Sequence, residues 1–141
     1  NVMNKLFHPR AVAIVRILFG INFVINGLNP FVGIYELPPP SPAAESLASA
    51  LIASGYLFTI VKIVEIAVGV LLLVNRFVPL ALILIFPISL NIFLFDTILE
   101  PAAAPLGIAV LLFNVYLCTA YLKYYRPFLV AKAPLAGSGA A

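Results

Sequence analysis

Arg16, Lys62 and Glu65 sit inside long apolar stretches, whereas the remaining Lys, Arg, Asp and Glu residues lie in the flanks between them. A charge near the middle of a hydrocarbon layer costs several kcal/mol, so such residues are paired, functional or both. Arg16 and Glu65 would be offset by roughly 6 Å along the membrane normal, at the rise of a helix, within reach of a guanidinium. One reading is therefore a buried Arg16–Glu65 ion pair that fixes which helix faces meet. The other is a protonatable or ligand-binding Glu65 in a cavity. Lys62 and Glu65, three residues apart, share a helix face and can instead pair with each other. Asn22, Asn26 and Asn29 make a second polar stripe beside Arg16, and Asn91 in the third stretch is followed by Asp96. Interhelical amide hydrogen bonds, worth about 0.6 kcal/mol each, account for most such residues. The functional alternative is a polar cavity, open outward, between the first and third stretches.

The chemistry these residues do not offer is equally definite. His8, the sole histidine, lies outside the apolar stretches, so one chain cannot ligate a haem or metal through two histidines in a bundle. No HExxH, GxSxG, GxGxxG or phosphate-loop pattern occurs. We therefore assign no catalytic residue and no metal ligand, and expect no autonomous redox chemistry. Cys118 is alone, which excludes a disulfide framework and a CxxC pair; a small packing residue is the ordinary role.

The elements that must position these groups follow from composition. The chain has 141 residues, 64% hydrophobic and 9% charged, against about 25% charged for soluble domains. Crossing a hydrocarbon core takes roughly 20 helical residues. Four stretches have that length, about 11–29, 56–75, 77–95 and 105–123. The expected architecture is all-α: a four-helix transmembrane bundle occupying residues 1–132 as one domain, followed by a disordered tail at 133–141. The first stretch follows a basic segment but lacks a small-residue cleavage site, so it is expected to be retained rather than removed as a signal peptide.

The flanks alternate in sign. Lys5, Arg10, Arg76, Lys123, Arg126 and Lys132 fall on one side, and Glu36, Glu45, Asp96 and Glu100 on the other. Short Lys- and Arg-rich loops stay cytoplasmic, which places both termini inside. These cations form no continuous stripe, so the net charge of +3 is not a nucleic-acid signal.

Local signals fill in the path. Asn29-Pro30 reads as the stop of the first helix. Ser41-Pro42, with Glu45 behind it, reads as a helix start. The segment that follows, to about Ser54, is expected to be a separate interfacial helix, the alternative being an extension of a tilted second span. Asn75-Arg76 is a tight turn, and Pro87 is expected to kink the third helix. Tyr121, Tyr124, Tyr125 and Phe128 form an interfacial aromatic belt. Gly20 and Gly27 on the first span, and Gly69 on the second, notch two stripes that are expected to face each other in close packing.

Arg16-Ile17-Leu18-Phe19-Gly20, then Phe23, then Gly27-Leu28-Asn29, followed by Glu65-Ile66-Ala67-Val68-Gly69 and a leucine run, resembles the DoxX-like family of small prokaryotic four-helix membrane proteins. The layout matches from about Val15 to Leu122. It departs at Asn29, where the family frequently has Lys. The family takes its name from a small subunit of a thiosulfate:quinone oxidoreductase, and the resemblance implies a multi-pass protein of a prokaryotic inner membrane.

Three functions are then open. The first is an accessory, non-catalytic subunit of a larger membrane complex of a redox or electron-transfer kind. The second is a quinone- or lipid-binding oxidoreductase component using Glu65 with Arg16 or Lys62. The third is a small transporter or channel formed by an oligomer. No bound cofactor is implied by identifiable ligands; a quinone or a lipid is the candidate. Membrane lipid and a larger complex or homo-oligomer are the expected partners.

Overall fold

The computed structural model describes residues 2–137, and among these every regular element is helical. A short α1 (Val2–Leu6) precedes α2 (Pro9–Val32). Next come α3 (Pro42–Ala53), α4 (Leu57–Leu73) and α5 (Val78–Leu94), which continues as a π-turn over Phe95–Leu99. After a 3₁₀ turn at Pro101–Ala103 come α6 (Ala104–Ala120), α7 (Leu122–Tyr125) and a 3₁₀ turn at Arg126–Phe128. Three helical segments are long and apolar enough to cross a bilayer: Pro9–Val32, Val78–Leu99 and Pro101–Ala120. The pair α3 and α4 passes the same test only together, and it is bent by 93°.

Local chemistry explains the boundaries. The Ser41 side chain caps α3 by accepting from the Ala44 amide, Pro42 follows it, and Glu45 lies in the first turn. Gly55, at φ 78°, separates α3 from α4, so the separate helix forms rather than a longer second span. The turn between α4 and α5 puts Asn75 and Phe77 in the left-handed region, a conformation Asn tolerates and a bulky residue rarely adopts. Helix α2 does not stop at Asn29-Pro30 as the sequence suggested. It runs on to Val32 and ends at Gly33, whose φ of 65° closes a left-handed cap with its N–H on the Asn29 carbonyl. Pro30 sits in the last turn, where a missing N–H frees one carbonyl without ending the helix. Helix α5 likewise passes through Pro87. Residues 133–135 carry no regular element, and residues 138–141 of the expected tail lie outside the described residues.

The helices pack in a ring: α2 against α4 and α6, α5 against α4 and α6. Thus α2 and α5 face each other across the diagonal. The core is Phe19, Phe23, Val68, Leu72, Leu82, Ile85, Val110 and Leu117, with the Phe19 and Phe23 rings edge-to-face at 4.8 Å. Outward-facing positions are apolar as well, including Ile14, Leu18, Leu80, Leu84 and Leu112. A surface of this kind belongs in contact with lipid.

Antiparallel threading gathers the charges at two ends. At one end the Tyr116 hydroxyl donates to the Leu6 carbonyl at 2.7 Å, and the Tyr125 hydroxyl donates to the Pro79 carbonyl at 2.7 Å. Lys5, Arg10, Arg76 and Lys123 lie in these segments. At the other end, the Ser41 amide donates to Glu100 Oε2 at 2.6 Å and its hydroxyl donates to the Leu99 carbonyl. Glu36, Glu45, Asp96 and Glu100 belong there.

Candidate functional site

Glycine brings α2 and α4 together. A methyl group on Gly69 would stand 2.8 Å from the Val24 amide nitrogen and 2.9 Å from the Gly20 carbonyl oxygen. One on Gly27 would meet Ile66 at 2.7 Å and the Glu65 Cβ at 3.3 Å. Gly20, Gly27 and Gly69 thus lie in the α2–α4 contact, and Gly27 leaves the space beside which Glu65 lies.

Towards the acidic end this contact carries a polar cluster. Glu65, only 3% exposed, accepts from Lys62 Nζ at 3.0 Å. Lys62 also donates to the Asn26 carbonyl at 3.5 Å and lies 5.5 Å from the centre of the Phe58 ring. That carbonyl is free for a geometric reason. Its helical partner four residues on would be the N–H of residue 30, and Pro30 has none. Asn26 Nδ2 donates to the Asn22 carbonyl at 2.8 Å and to Asn22 Oδ1 at 2.9 Å. The Gly33 turn folds the chain back so that the Tyr35 hydroxyl donates to Asn26 Oδ1, while the Tyr35 amide donates to Asn29 Oδ1 at 2.8 Å. Burial, and then the nearby negative charge of Glu65, raise the Tyr35 phenol above its ordinary pKa. The cluster thus holds an ammonium, a carboxylate, two amides and a phenol in contact.

Arg16 is not part of it. Glu65 pairs with Lys62, so the expected Arg16–Glu65 ion pair is absent. Arg16 Nη1 instead donates to the carbonyl of Leu72, seven residues further along α4. The reason is competition within one helix face: Lys62 reaches Glu65 across a single turn, without spanning two helices. Both Arg16 and Glu65 still point inward, and the two stripes still face each other.

Asn91 is corrected more fully. It lies on the exposed face of α5, and α5 is diagonal to α2, so no polar cavity joins it to Asn22 and Asn26. Asn22 instead lines a small cleft of about 90 Å³ between α2 and α6, with Leu18, Phe19, Leu106 and Phe113. A larger cleft of about 310 Å³ opens at the basic end, lined by Phe7, Val12, Ala13, Arg16, Asn75 and Tyr121 among others.

Several contributors were missed in the sequence. Ser89 is one: fully buried, it accepts a hydrogen bond of 3.1 Å on α5 from the buried Asn114 amide of α6. Serine in an apolar run carries little signal by itself; its pairing appears only once α5 meets α6. Tyr35, Gly33 and Pro30 shape the polar cluster, and the proximity of all three to Asn26 in sequence was the available clue. Gly107 makes room for Asp96, whose Cβ stands 2.7 Å from where its methyl would be. Among the described residues no group of three or more His, Cys, Asp or Glu is placed to hold a metal ion.

The architecture is that of an all-helical integral membrane protein with a buried ionic cluster between two glycine-notched helices. The family model described as DoxX matches residues 11–97, and the chain belongs to that family. Comparison with curated proteins and with solved structures found no match.

Proposed function

We propose that this protein is an accessory, non-catalytic membrane subunit of a larger complex, of a redox or electron-transfer kind. The observation that carries the reading is Asn91. It lies on an outward face of α5 within an apolar helical segment, and its side-chain amide has no hydrogen-bond partner among the described residues. An amide left facing hydrocarbon is unfavourable, and a partner helix supplying a donor and an acceptor removes that cost. Four spans, with α4 crossing and α3 lying in the outer interface, give the basic end a cytoplasmic position in a prokaryotic inner membrane. The 93° bend between α3 and α4 supports α3 lying along the interface, and the segregation of charge between the two ends supports the orientation.

The test is purification in a gentle detergent followed by mass spectrometry of intact assemblies. Wild type should carry larger partner subunits, and Asn91→Leu should release them while staying folded. A monomer in both cases, with unaltered activity in the host membrane, rejects the proposal; an assembly made solely of this chain replaces it with a homo-oligomer.

A second reading rests on the Lys62–Glu65–Asn26–Tyr35 cluster. Its donors and acceptors suit the carbonyl oxygens of a quinone, with Lys62 and Glu65 handling protons. Arg16, on α2, meets α4 at Leu72, seven residues beyond Glu65, and does not join them, so Glu65→Gln alone should abolish quinone-dependent turnover while leaving the fold intact. Normal turnover in that variant removes this reading.

A further inference from the structure

Among the described residues, Arg16 is a buried cation without a counter-charge. It is 9% exposed, its recorded partner is the neutral Leu72 carbonyl, and among the described residues the one salt bridge is that of Lys62 with Glu65. The other four acids, Glu36, Glu45, Asp96 and Glu100, belong to the opposite end of the bundle. A guanidinium offers five N–H donors in a rigid fork, so a single carbonyl leaves most of that capacity unused. No buried side-chain nitrogen or oxygen among the described residues lacks a partner; the remaining guanidinium donors therefore face accessible space. That space is the 310 Å³ cleft, whose wall Arg16 forms together with Phe7, Val12, Ala13 and Tyr121.

The cleft is built rather than incidental. The Phe7 ring stacks on Tyr116 at 5.4 Å, and the Tyr116 hydroxyl donates to the Leu6 carbonyl at 2.7 Å. These contacts fold α1 against α6 and close one side of the opening. Its lining joins the Arg16 cation and the Asn75 amide to the apolar and aromatic Phe7, Val12, Ala13 and Tyr121. Arg10 and Arg76, both exposed, stand in the adjoining segments.

We propose that this cleft binds the anionic group of an amphiphile, a phosphate or a carboxylate, on Arg16, with the apolar part against Phe7, Val12 and Tyr121. A planar guanidinium binds such oxyanions in a two-point fork, and basic pockets between membrane helices take anionic headgroups. The site is separate from the Lys62–Glu65 cluster and independent of the proposed assembly through Asn91. Two sources have the required chemistry: the headgroup of an anionic phospholipid, and a free phosphate.

The experiment uses the full chain in an uncharged detergent. Binding of dihexanoyl phosphatidylglycerol, dihexanoyl phosphatidylcholine and inorganic phosphate is followed by thermal shift and calorimetry. Wild type should bind the anionic lipid at least tenfold more tightly than the zwitterionic one. Arg16→Gln and the cleft-filling Ala13→Leu should each lose that preference, while Arg76→Gln, which removes only a surface cation, should keep it. Tighter binding of the anionic lipid than of phosphate identifies the amphiphile as the ligand, whereas equal binding of the two overturns the role given to the apolar lining. The proposal is overturned if phosphatidylcholine binds as well as phosphatidylglycerol, if folded Arg16→Gln binds normally, or if Arg76→Gln loses as much as Arg16→Gln. Should Arg16→Gln fail to fold, Ala13→Leu decides: unchanged binding in it overturns the proposal.

Discussion

Replacing Gly69 by alanine tests the contact on which the polar cluster depends. The added methyl would meet two backbone atoms of α2, the Val24 nitrogen at 2.8 Å and the Gly20 oxygen at 2.9 Å, besides the Val24 side chain at 2.7 Å. Backbone cannot rotate away as a side-chain tip can. To reach ordinary contact, from about 3.4 Å upwards, α2 and α4 must part by roughly 0.6 Å at this level. Overpacking costs about 1–3 kcal/mol, and with backbone as the obstacle the upper part of that range, about 2–3 kcal/mol, applies. Alanine recovers about 1 kcal/mol through its better helix propensity, leaving a net loss of about 1–2 kcal/mol. The separation also stretches the bonds that cross the interface on either side, Arg16 to Leu72 and Lys62 to Asn26. Unfolding by increasing mole fraction of sodium dodecyl sulfate, followed by circular dichroism, measures the change. Gly33→Ala is the matched control: nothing lies within 4 Å of its new methyl, so its cost of about 1–2 kcal/mol comes only from the left-handed backbone. A Gly69→Ala protein as stable as wild type would refute the packing argument, because it would mean that the helices do not approach through this glycine.

Other expectations can be checked with the same unfolding assay. Lys62→Met leaves the buried Glu65 carboxylate without its cation and should cost about 3 kcal/mol, whereas Lys62→Met with Glu65→Leu should recover most of it; a double variant no better than the single one contradicts the pairing. Tyr35→Phe removes the bond to Asn26 Oδ1 and should cost about 1 kcal/mol. Because the folded-state pKa of Tyr35 is raised above 10, its contribution is fully present below the unfolded value and is lost as pH rises through the raised one. The wild-type advantage over Tyr35→Phe should therefore be flat to about pH 10 and fall above it; an advantage that grows with alkaline pH goes against the assigned surroundings. Glu100→Ala deletes the acceptor of the Ser41 amide and should speed hydrogen exchange in the first turn of α3, leaving α5 unchanged.

Much of the helical layout was legible because apolar length and charge sign are properties of the chain read in order. The stretches at about 11–29, 56–75, 77–95 and 105–123 became helices at 9–32, 57–73, 78–94 and 104–120. Ser41, Pro42 and Glu45 marked the start of α3 because capping is a contact between neighbours in sequence. Gly20, Gly27 and Gly69 were legible as packing notches for a related reason: helical spacing alone puts Gly20 and Gly27 on one line. Pro30 misled, since the rule that stops a helix before proline is weaker in a last turn, where the orphaned carbonyl finds a Lys62 ammonium.

Which charge meets which could not be read this way. Spacing allowed Glu65 either Arg16 or Lys62, and the choice depends on how far α2 slides along α4, a distance set by the depth to which Gly69 and Gly20 interlock. The same holds for Asn91, whose inward or outward direction follows from the rotation of α5 and from its place diagonal to α2. The chain's order of residues determined a helical membrane protein with charge sorted to two ends. Only the packed bundle decided that Glu65 belongs to Lys62, that Arg16 faces a cleft, and that Asn91 looks outward, because these depend on offsets and rotations between helices that no local periodicity encodes.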